Sequence, residues 1–176
     1  MPSRTPRALL TASITGLLVA VMAAPASAQT TGPESFKGII VTSGATGERQ
    51  VLASPIVAKG VFTGAGRVVE VQNLPGDPDN VSRDDLVFRQ GAFHLVSENV
   101  DVQFSLNPVT CRFAVAIQQV GTITGGTGAF EDASGTFTGS VHATGATARN
   151  PDGSCSEDAA ALRETDVVAG TGTLTF

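Results

Sequence analysis

Tryptophan and tyrosine are absent from the 176 residues of this chain, and lysine and arginine are few. The 11 Lys and Arg stand against 16 Asp and Glu, which gives a formal net charge of −5. Because nucleic-acid binding needs clustered basic side chains, this balance argues against a nucleic-acid partner. The missing Trp and Tyr argue against a transmembrane β-barrel, which carries aromatic girdles at both membrane interfaces.

The N-terminal segment contains a long apolar run. Arg4 and Arg7 precede this run, which covers 8–24, and the small residues at 26–28 follow it. This order is typical of a secretory signal peptide with its cleavage site. An uncleaved membrane anchor is the alternative, although the run is short for a helix that needs about 20 residues to cross a bilayer. We therefore predict a signal peptide at 1–28, a secreted, extracellular protein and no membrane span after cleavage.

Two cysteines follow the predicted signal peptide, Cys111 and Cys155. In an oxidising compartment, two cysteines in one chain predict an intramolecular disulfide. Two free thiols are the alternative.

No motif in the chain predicts a metal or a cofactor. Neither His94 nor His142 lies at ligand spacing from a cysteine, which argues against a metal site. The acidic cluster at 77–85 matches no calcium-binding loop and is interpreted as a solvated turn. The glycine-rich run at 121–128 lacks the lysine and the following helix of a phosphate-binding loop.

Apolar residues alternate with polar ones through most of the chain after the signal peptide, and no stretch there has a convincing helical period. Clusters of Gly, Pro, Asn and Asp separate the alternating runs. Strands are expected near 36–42, 55–63, 66–73, 84–89, 92–98, 99–105, 110–124, 134–145 and 160–175.

Many glycines lie inside these runs, among them Gly139 and Gly170. Glycine within a strand marks a bulge or a tight bend, and repeated bends favour a small barrel over a sandwich. We predict an all-β fold, a small antiparallel eight-stranded β-barrel with one disulfide, as a single domain over 35–176. A flexible tail is expected at 29–34.

One turn carries a family resemblance. A strand-like run ends in Gly125, Gly126, Thr127 and Gly128, an aromatic residue follows, and a small residue with a glycine opens the next strand. This order resembles the signature turn of the allene oxide cyclase and dirigent-like β-barrel superfamily. The segment 84–91 together with Cys111 is similar to secreted actinobacterial proteins with such a barrel.

The resemblance implies a calycin- or dirigent-like barrel with an apolar pocket, often assembled as a trimer, so a homo-oligomer is an expectation by analogy. Members of the superfamily bind oxylipins, steer radical coupling or cyclise polyketides. Catalytic members place polar groups in the pocket from the first strand, whereas the run 35–42 contains no acid within it. The resemblance is therefore carried over to the fold and to no catalytic residue.

The run after Cys111 has two faces, and either one could point into the barrel. If the face formed by Arg112, Ala114, Ala116 and Gln118 points inward, it lines a pocket, and Arg112 could bind an anionic head group. If the opposite face points inward, the interior is packed and Arg112 faces solvent. Arg112, Ala114, Ala116 and Gln118 are the candidate ligand-binding residues.

Three functions remain open after these observations. The first is a secreted barrel that binds a small apolar or amphipathic ligand without chemistry. The second is a cofactor-free cyclase or isomerase, which requires an ionisable residue with a perturbed pKa inside the cavity. The third is a structural or cell-surface protein with a packed barrel and an exposed apolar patch.

Overall fold

A computed structural model describes residues 29–45, 47–156 and 159–176 of the chain; the predicted signal peptide at 1–28 lies outside them. The described part consists of strands and one short 3-10 turn at Gly128–Phe130. The strands are β1 (Thr31–Ser43), β2 (Gln50–Ala53), β3 (Pro55–Gly60), β4 (Thr63–Val71), β5 (Val81–Phe88), β6 (Gly91–Asn107), β7 (Arg112–Gly126), β8 (Ser134–Ala146) and β9 (Arg163–Thr175).

The strands form an antiparallel meander that closes on itself. Strands β3 to β9 pair in chain order, and β1 pairs with β3 on one side and with β9 on the other. The short strand β2 pairs with the last residues of β1 and runs almost directly into β3. Among the described residues this makes a closed eight-stranded barrel, which confirms the predicted fold class.

Alternation along each strand separates an inner face from an outer face, because successive side chains of a strand point to opposite sides. On β9, Asp166 and Leu174 are buried, whereas Val167 and Thr171 are exposed. Large apolar residues on the inner face bury most of the surface that stabilises the barrel.

One end of the barrel, here called the packed end, is filled by phenylalanine rings. Phe93 is fully buried and stacks on Phe130 with 4.0 Å between ring centroids. Phe62 meets Phe88, Phe130 and Phe176 edge to face. These packed rings leave no room for a ligand.

The opposite end, here called the open end, carries the connections β1–β2, β4–β5, β6–β7 and β8–β9. The predicted disulfide joins two of these connections: the Cys111 and Cys155 sulfurs are bonded at 2.05 Å. Cys111 lies in the β6–β7 connection and Cys155 in the β8–β9 connection. The prediction of a Cys111–Cys155 disulfide is confirmed.

The structure corrects the sequence prediction at three points. The predicted flexible tail at 29–34 is wrong in its extent, because β1 begins at Thr31 and Glu34 is 3% exposed. The predicted strands 92–98 and 99–105 are one strand, β6, with a bulge after Asn99 that changes its register against β7. Strand β2 was not predicted from the sequence.

Candidate functional site

The packed rings of Phe62, Phe88, Phe93, Phe130 and Phe176 are here called the phenylalanine cluster. A cavity of about 420 Å³ occupies the barrel between this cluster and the open end. Phe36 and Phe137 form its inner floor, and apolar side chains from several strands form its wall. Polar side chains surround its mouth, and Ser97, Gln119 and Ser140 also line the cavity. The apolar wall residues are Ile40, Ile56, Val68, Leu86, Leu95, Ile117, Val141 and Val168.

Carboxylates dominate the mouth of this cavity. Glu70 on β4, Asp84 on β5 and Asp166 on β9 all line it. Glu164 follows on the same face of β9 as Asp166, two residues closer to the open end. We call Glu70, Asp84, Glu164 and Asp166 the carboxylate ring.

Arg49, in the β1–β2 connection, contacts three members of the carboxylate ring. Its Nη1 lies 2.6 and 2.5 Å from the two carboxylate oxygens of Glu70. Its Nε is 3.9 Å from Glu164 Oε2, and its Nη2 is 4.0 Å from Asp166 Oδ2. The guanidinium is therefore bonded to Glu70 and only near the other two.

Two carboxyls of the ring hold their protons more tightly than usual. Burial raises the pKa of Asp84 to about 6, the charges of Glu70 and Asp85 add to the rise, and Arg49 opposes it. Burial also raises the pKa of Asp166 to about 6, chiefly helped by the charge of Glu164. Such values let both groups change charge close to neutral pH.

Asp166 also lacks a hydrogen-bond donor. The residue is 7% exposed, and its Oδ1 has no hydrogen-bond partner within the described residues. Its protonated form can donate to Glu164, but the ionised form needs a donor of its own. Buried polar atoms almost always have one, so burial of this oxygen without a donor disfavours the ionised form of Asp166.

The four ligand-binding residues predicted from the sequence do not lie at the cavity. Arg112, Ala114 and Gln118 are exposed and Ala116 is half-buried, and none of the four lines the cavity. The cavity is lined instead by Ile117, Gln119 and Gly121 on the opposite face of β7. Of the two orientations considered, the structure shows the one with Arg112 facing solvent. A ligand role for this outer face stays a prediction.

The glycine-rich turn lies at the packed end, away from the carboxylate ring. Gly125 and Gly128 have φ values of +137° and +62°, a region that glycine enters at little cost. The Thr127 hydroxyl accepts a hydrogen bond from the Ala92 backbone N–H at 3.1 Å. The turn thereby carries Phe130 into the phenylalanine cluster, and its contacts are structural.

Sequence reasoning missed the carboxylate ring. It grouped Asp84 with a solvated turn, whereas Asp84 lies on the inner face of β5. Asp77, from the same acidic cluster, is half-buried and paired with Arg83, whose Nε lies 2.7 Å from Asp77 Oδ2. The alternation of Asp84 with Leu86 and Phe88, all on one face, was the signal that could have revealed it.

Glu34 is a further interior acid that the sequence did not single out. Its Oε2 accepts a hydrogen bond from the Phe62 backbone N–H at 2.8 Å, and its Oε1 accepts one from Ser35 at 3.0 Å. Both carboxylate oxygens are therefore used to hold backbone at the packed end. Glu34 does not line the cavity.

Comparisons with models of protein families, with curated proteins and with solved structures find no match for this chain. The resemblance to the allene oxide cyclase and dirigent-like superfamily therefore stays a prediction. In the part of the chain that the structure describes, no helix is long and apolar enough to cross a membrane. Within the same residues, no three His, Cys, Asp or Glu side chains are placed to hold a metal ion.

Proposed function

We propose that this protein is a secreted β-barrel that binds one small amphipathic molecule in the open end of its barrel. The observation that carries the proposal is the cavity of about 420 Å³ with an apolar wall and a polar mouth. Ligand sites in proteins typically have volumes of about 300–1,000 Å³ and combine apolar walls with a few polar groups. An eight-stranded barrel is just wide enough to hold one small ligand.

The same cavity argues against the barrel as a purely structural element. A packed barrel needs side chains across its whole length, whereas this one is filled at one end only. An exposed apolar stripe does exist on β6, where Val100, Val102 and Phe104 are 58%, 54% and 61% exposed. It lies outside the barrel and does not account for the cavity.

The test is to reduce the volume of the cavity by substituting one glycine of its wall. A Cβ added to Gly170 would meet only the Thr138 carbonyl oxygen, at an ordinary contact distance of 3.8 Å. Because Gly170 lines the cavity, Gly170→Val places its methyl groups in the ligand space. Thr171→Val, one residue along and exposed, is the matched control.

Binding is measured by the fluorescence of Nile red, a neutral apolar dye, and by native mass spectrometry of the protein purified from culture medium. We expect saturable binding by the wild type and by Thr171→Val, and a loss of about tenfold or more in affinity for Gly170→Val. Absence of saturable binding by the wild type, or equal binding by both variants, would contradict the proposal.

A cofactor-free cyclase or isomerase is the second candidate, favoured by the ionisable Asp84 and Asp166 inside the cavity. General acid catalysis is most effective when the acid has a pKa near the working pH, and both groups have a pKa of about 6. The resemblance of the glycine-rich turn to the allene oxide cyclase and dirigent-like superfamily supports the same candidate.

Catalysis and simple binding differ in what happens to a bound molecule. A ligand recovered from the protein is incubated with the wild type and with Asp166→Asn, and both samples are examined by chromatography and mass spectrometry. A new isomer of equal mass, formed only by the wild type, supports the enzyme. A chemically unchanged ligand in both samples contradicts it.

A further inference from the structure

The last part of β6 has a neighbouring strand on one side only. Its pairing with β5 ends at Glu98, and one further backbone hydrogen bond follows, in which the Asn99 N–H donates to the Asn80 carbonyl oxygen at 2.8 Å. β7 accompanies β6 to its last residue, whereas no described strand pairs with the opposite side of 100–107. This stretch of β6 is here called the free edge.

The free edge exposes backbone groups that need a partner. The N–H and C=O groups of an antiparallel strand point alternately to its two sides, so every second residue of the free edge presents both groups away from β7. Such an edge pairs readily with another strand unless lysine, proline or a covering loop protects it. The free edge contains no lysine or proline, and all residues at 100–105 are exposed. It is therefore open to an incoming β-strand.

The free edge also has one apolar face. Val102 pairs with Ile117, which lines the cavity, so Val102 lies on the inner side of the sheet, beyond the rim where β5 begins. Phe104 and Leu106 follow on the same side, because successive side chains of a strand point to opposite faces. Val102 and Phe104 are 54% and 61% exposed. An incoming strand would meet apolar side chains on this face and polar side chains on the other.

We propose that the free edge pairs with the free edge of a second copy of this chain, in an antiparallel dimer whose two-fold axis passes beside Phe104. A two-fold axis makes the same surface serve both partners, so the surface must be complementary to itself. The part of the free edge that keeps a regular register with β7 begins at Asp101 and ends at Asn107. Phe104 lies at the middle of this part, so an axis there pairs all of it.

The side chains of the free edge match in this arrangement. With the axis perpendicular to the sheet, the inner faces of the two copies lie on the same side. The opposed residues are Phe104 and Phe104, Val102 and Leu106, Gln103 and Ser105, and Asp101 and Asn107. Apolar side chains therefore meet apolar ones, a kind of cross-strand pair that stabilises a sheet. Asp101 is the only charged residue of the free edge, so no like charges lie opposite each other.

Each copy also leaves space for the strand of the other. The incoming strand takes the position beside β6 that β5 leaves empty beyond Glu98. Its last residue, Asn107, lies opposite Asp101, before the chain reaches the hydrogen bond between Asn99 and Asn80. The space beside the free edge therefore has the length of the strand that it receives. A strand from another protein would need the same alternation, which a second copy already has.

The experiment measures the oligomeric state of the protein purified from culture medium by sedimentation equilibrium, from about 1 µM to about 500 µM. Because one pair of strands forms a small interface, we expect a dissociation constant of about 10–100 µM and a monomer at about 1 µM. Val102→Lys places a charge in the apolar seam. Val167→Lys is the matched control: Val167 is 49% exposed and lies on β9, which has a neighbouring strand on each side.

We expect the wild type and Val167→Lys to dimerise alike, and Val102→Lys to dimerise about tenfold or more weakly. Both variants add one positive charge, so a difference between them reports the place of the change. A wild type that stays monomeric would leave the edge to a strand of a different protein and would overturn the proposal. Equal weakening in both variants would also overturn it, as would oligomers larger than the dimer, which indicate head-to-tail pairing.

Disulfide cross-linking tests the position of the axis, and it decides the question if Val102→Lys fails to fold. Phe104→Cys sets two thiols directly opposite, with Cβ atoms about 4.5–5.5 Å apart, close to the geometry of a disulfide. In Gln103→Cys each thiol lies opposite Ser105, and Thr171→Cys, exposed on β9, reports random collisions. Under mild oxidation, the covalent dimer of Phe104→Cys should form about tenfold faster than that of either control. Equal rates, or faster cross-linking of Gln103→Cys, would contradict the proposed dimer.

Discussion

The two ends of this barrel are built from the same strands by opposite means. At the packed end, rings such as Phe62, Phe93 and Phe130 exclude water and leave no space. At the open end, the same strands place carboxylates around a cavity, and the Cys111–Cys155 disulfide joins two of the connections. Apolar burial stabilises the packed end, whereas the open end carries buried carboxylates that oppose stability.

This difference shows how one barrel can combine stability with an interior cavity. Burying a carboxylate without a donor costs free energy, and such a cost is tolerated only where other contacts offset it. The phenylalanine cluster supplies those contacts at a distance from the site. The carboxylate ring can therefore vary in charge without loss of the fold.

The largest expected effect is the loss of a ring from the packed end. Phe93→Ala removes a fully buried side chain that stacks on Phe130, and such changes cost about 3–5 kcal/mol in the free energy of unfolding. Urea unfolding followed by circular dichroism measures the loss. Phe104→Ala removes a ring that is 61% exposed and should change stability by about 0.5 kcal/mol or less. Similar losses in the two variants would contradict the packed end as the source of stability.

The disulfide should come next in size. Cys111 and Cys155 are 44 residues apart, and the chain-entropy model gives about 4 kcal/mol as an upper value for a loop of this length. The double variant Cys111→Ala, Cys155→Ala should unfold at lower urea concentration while the phenylalanine cluster stays packed. Near-ultraviolet circular dichroism of the phenylalanines reports the cluster in the folded variant. Loss of that signal before unfolding would show that the ends are not independent.

The effect expected from the open end is a dependence of stability on pH. Asp84 and Asp166 have an ordinary pKa of 3.8 and a folded-state pKa of about 6. Between these values the folded protein binds more protons than the unfolded chain, so their contribution to stability falls as the pH rises. The loss begins above about pH 4 and is complete above about pH 6.

Urea midpoints from about pH 4 to pH 7 test this sign. The variant Asp84→Asn, Asp166→Asn should flatten the fall. Asp132→Asn, which removes an exposed acid in the turn before β8 at the packed end, should leave it in place. Charges that face the two carboxyls come from Glu70, Asp85 and Glu164 and, with opposite sign, from Arg49. A double variant with the wild-type slope would show that other groups cause the dependence.

Much of the fold could be predicted because strands and turns follow from local sequence patterns. Alternation along a strand requires only neighbouring residues, and the Gly125–Gly128 turn is recognisable by itself. Local patterns do not predict which face of a strand points into the barrel, because that depends on how the sheet closes. The run after Cys111 therefore left two orientations open, and the closed barrel, in which Ile117 lines the cavity, decided between them.

The candidate site was harder to predict because its parts are far apart in the sequence. Asp84 and Asp166 lie on β5 and β9, and Arg49 approaches Asp166 from the β1–β2 connection. Arg49 and Asp166 alone have the pattern of ordinary surface charges, and only Asp84, on the same face as Leu86 and Phe88, has a local sign of its inner position. Their meeting inside the barrel is a property of the closed sheet, which no short motif records.

Closure of the barrel also has a consequence for the order of folding. Most strands pair with a neighbour in the chain, whereas β1 and β9 bring together residues as distant as Thr31 and Thr175, 144 positions apart. Joining such distant segments is the slow step in a chain of otherwise local pairings. The cavity forms only when this last seam closes, so a ligand should slow the opening of the barrel and leave its rate of folding unchanged.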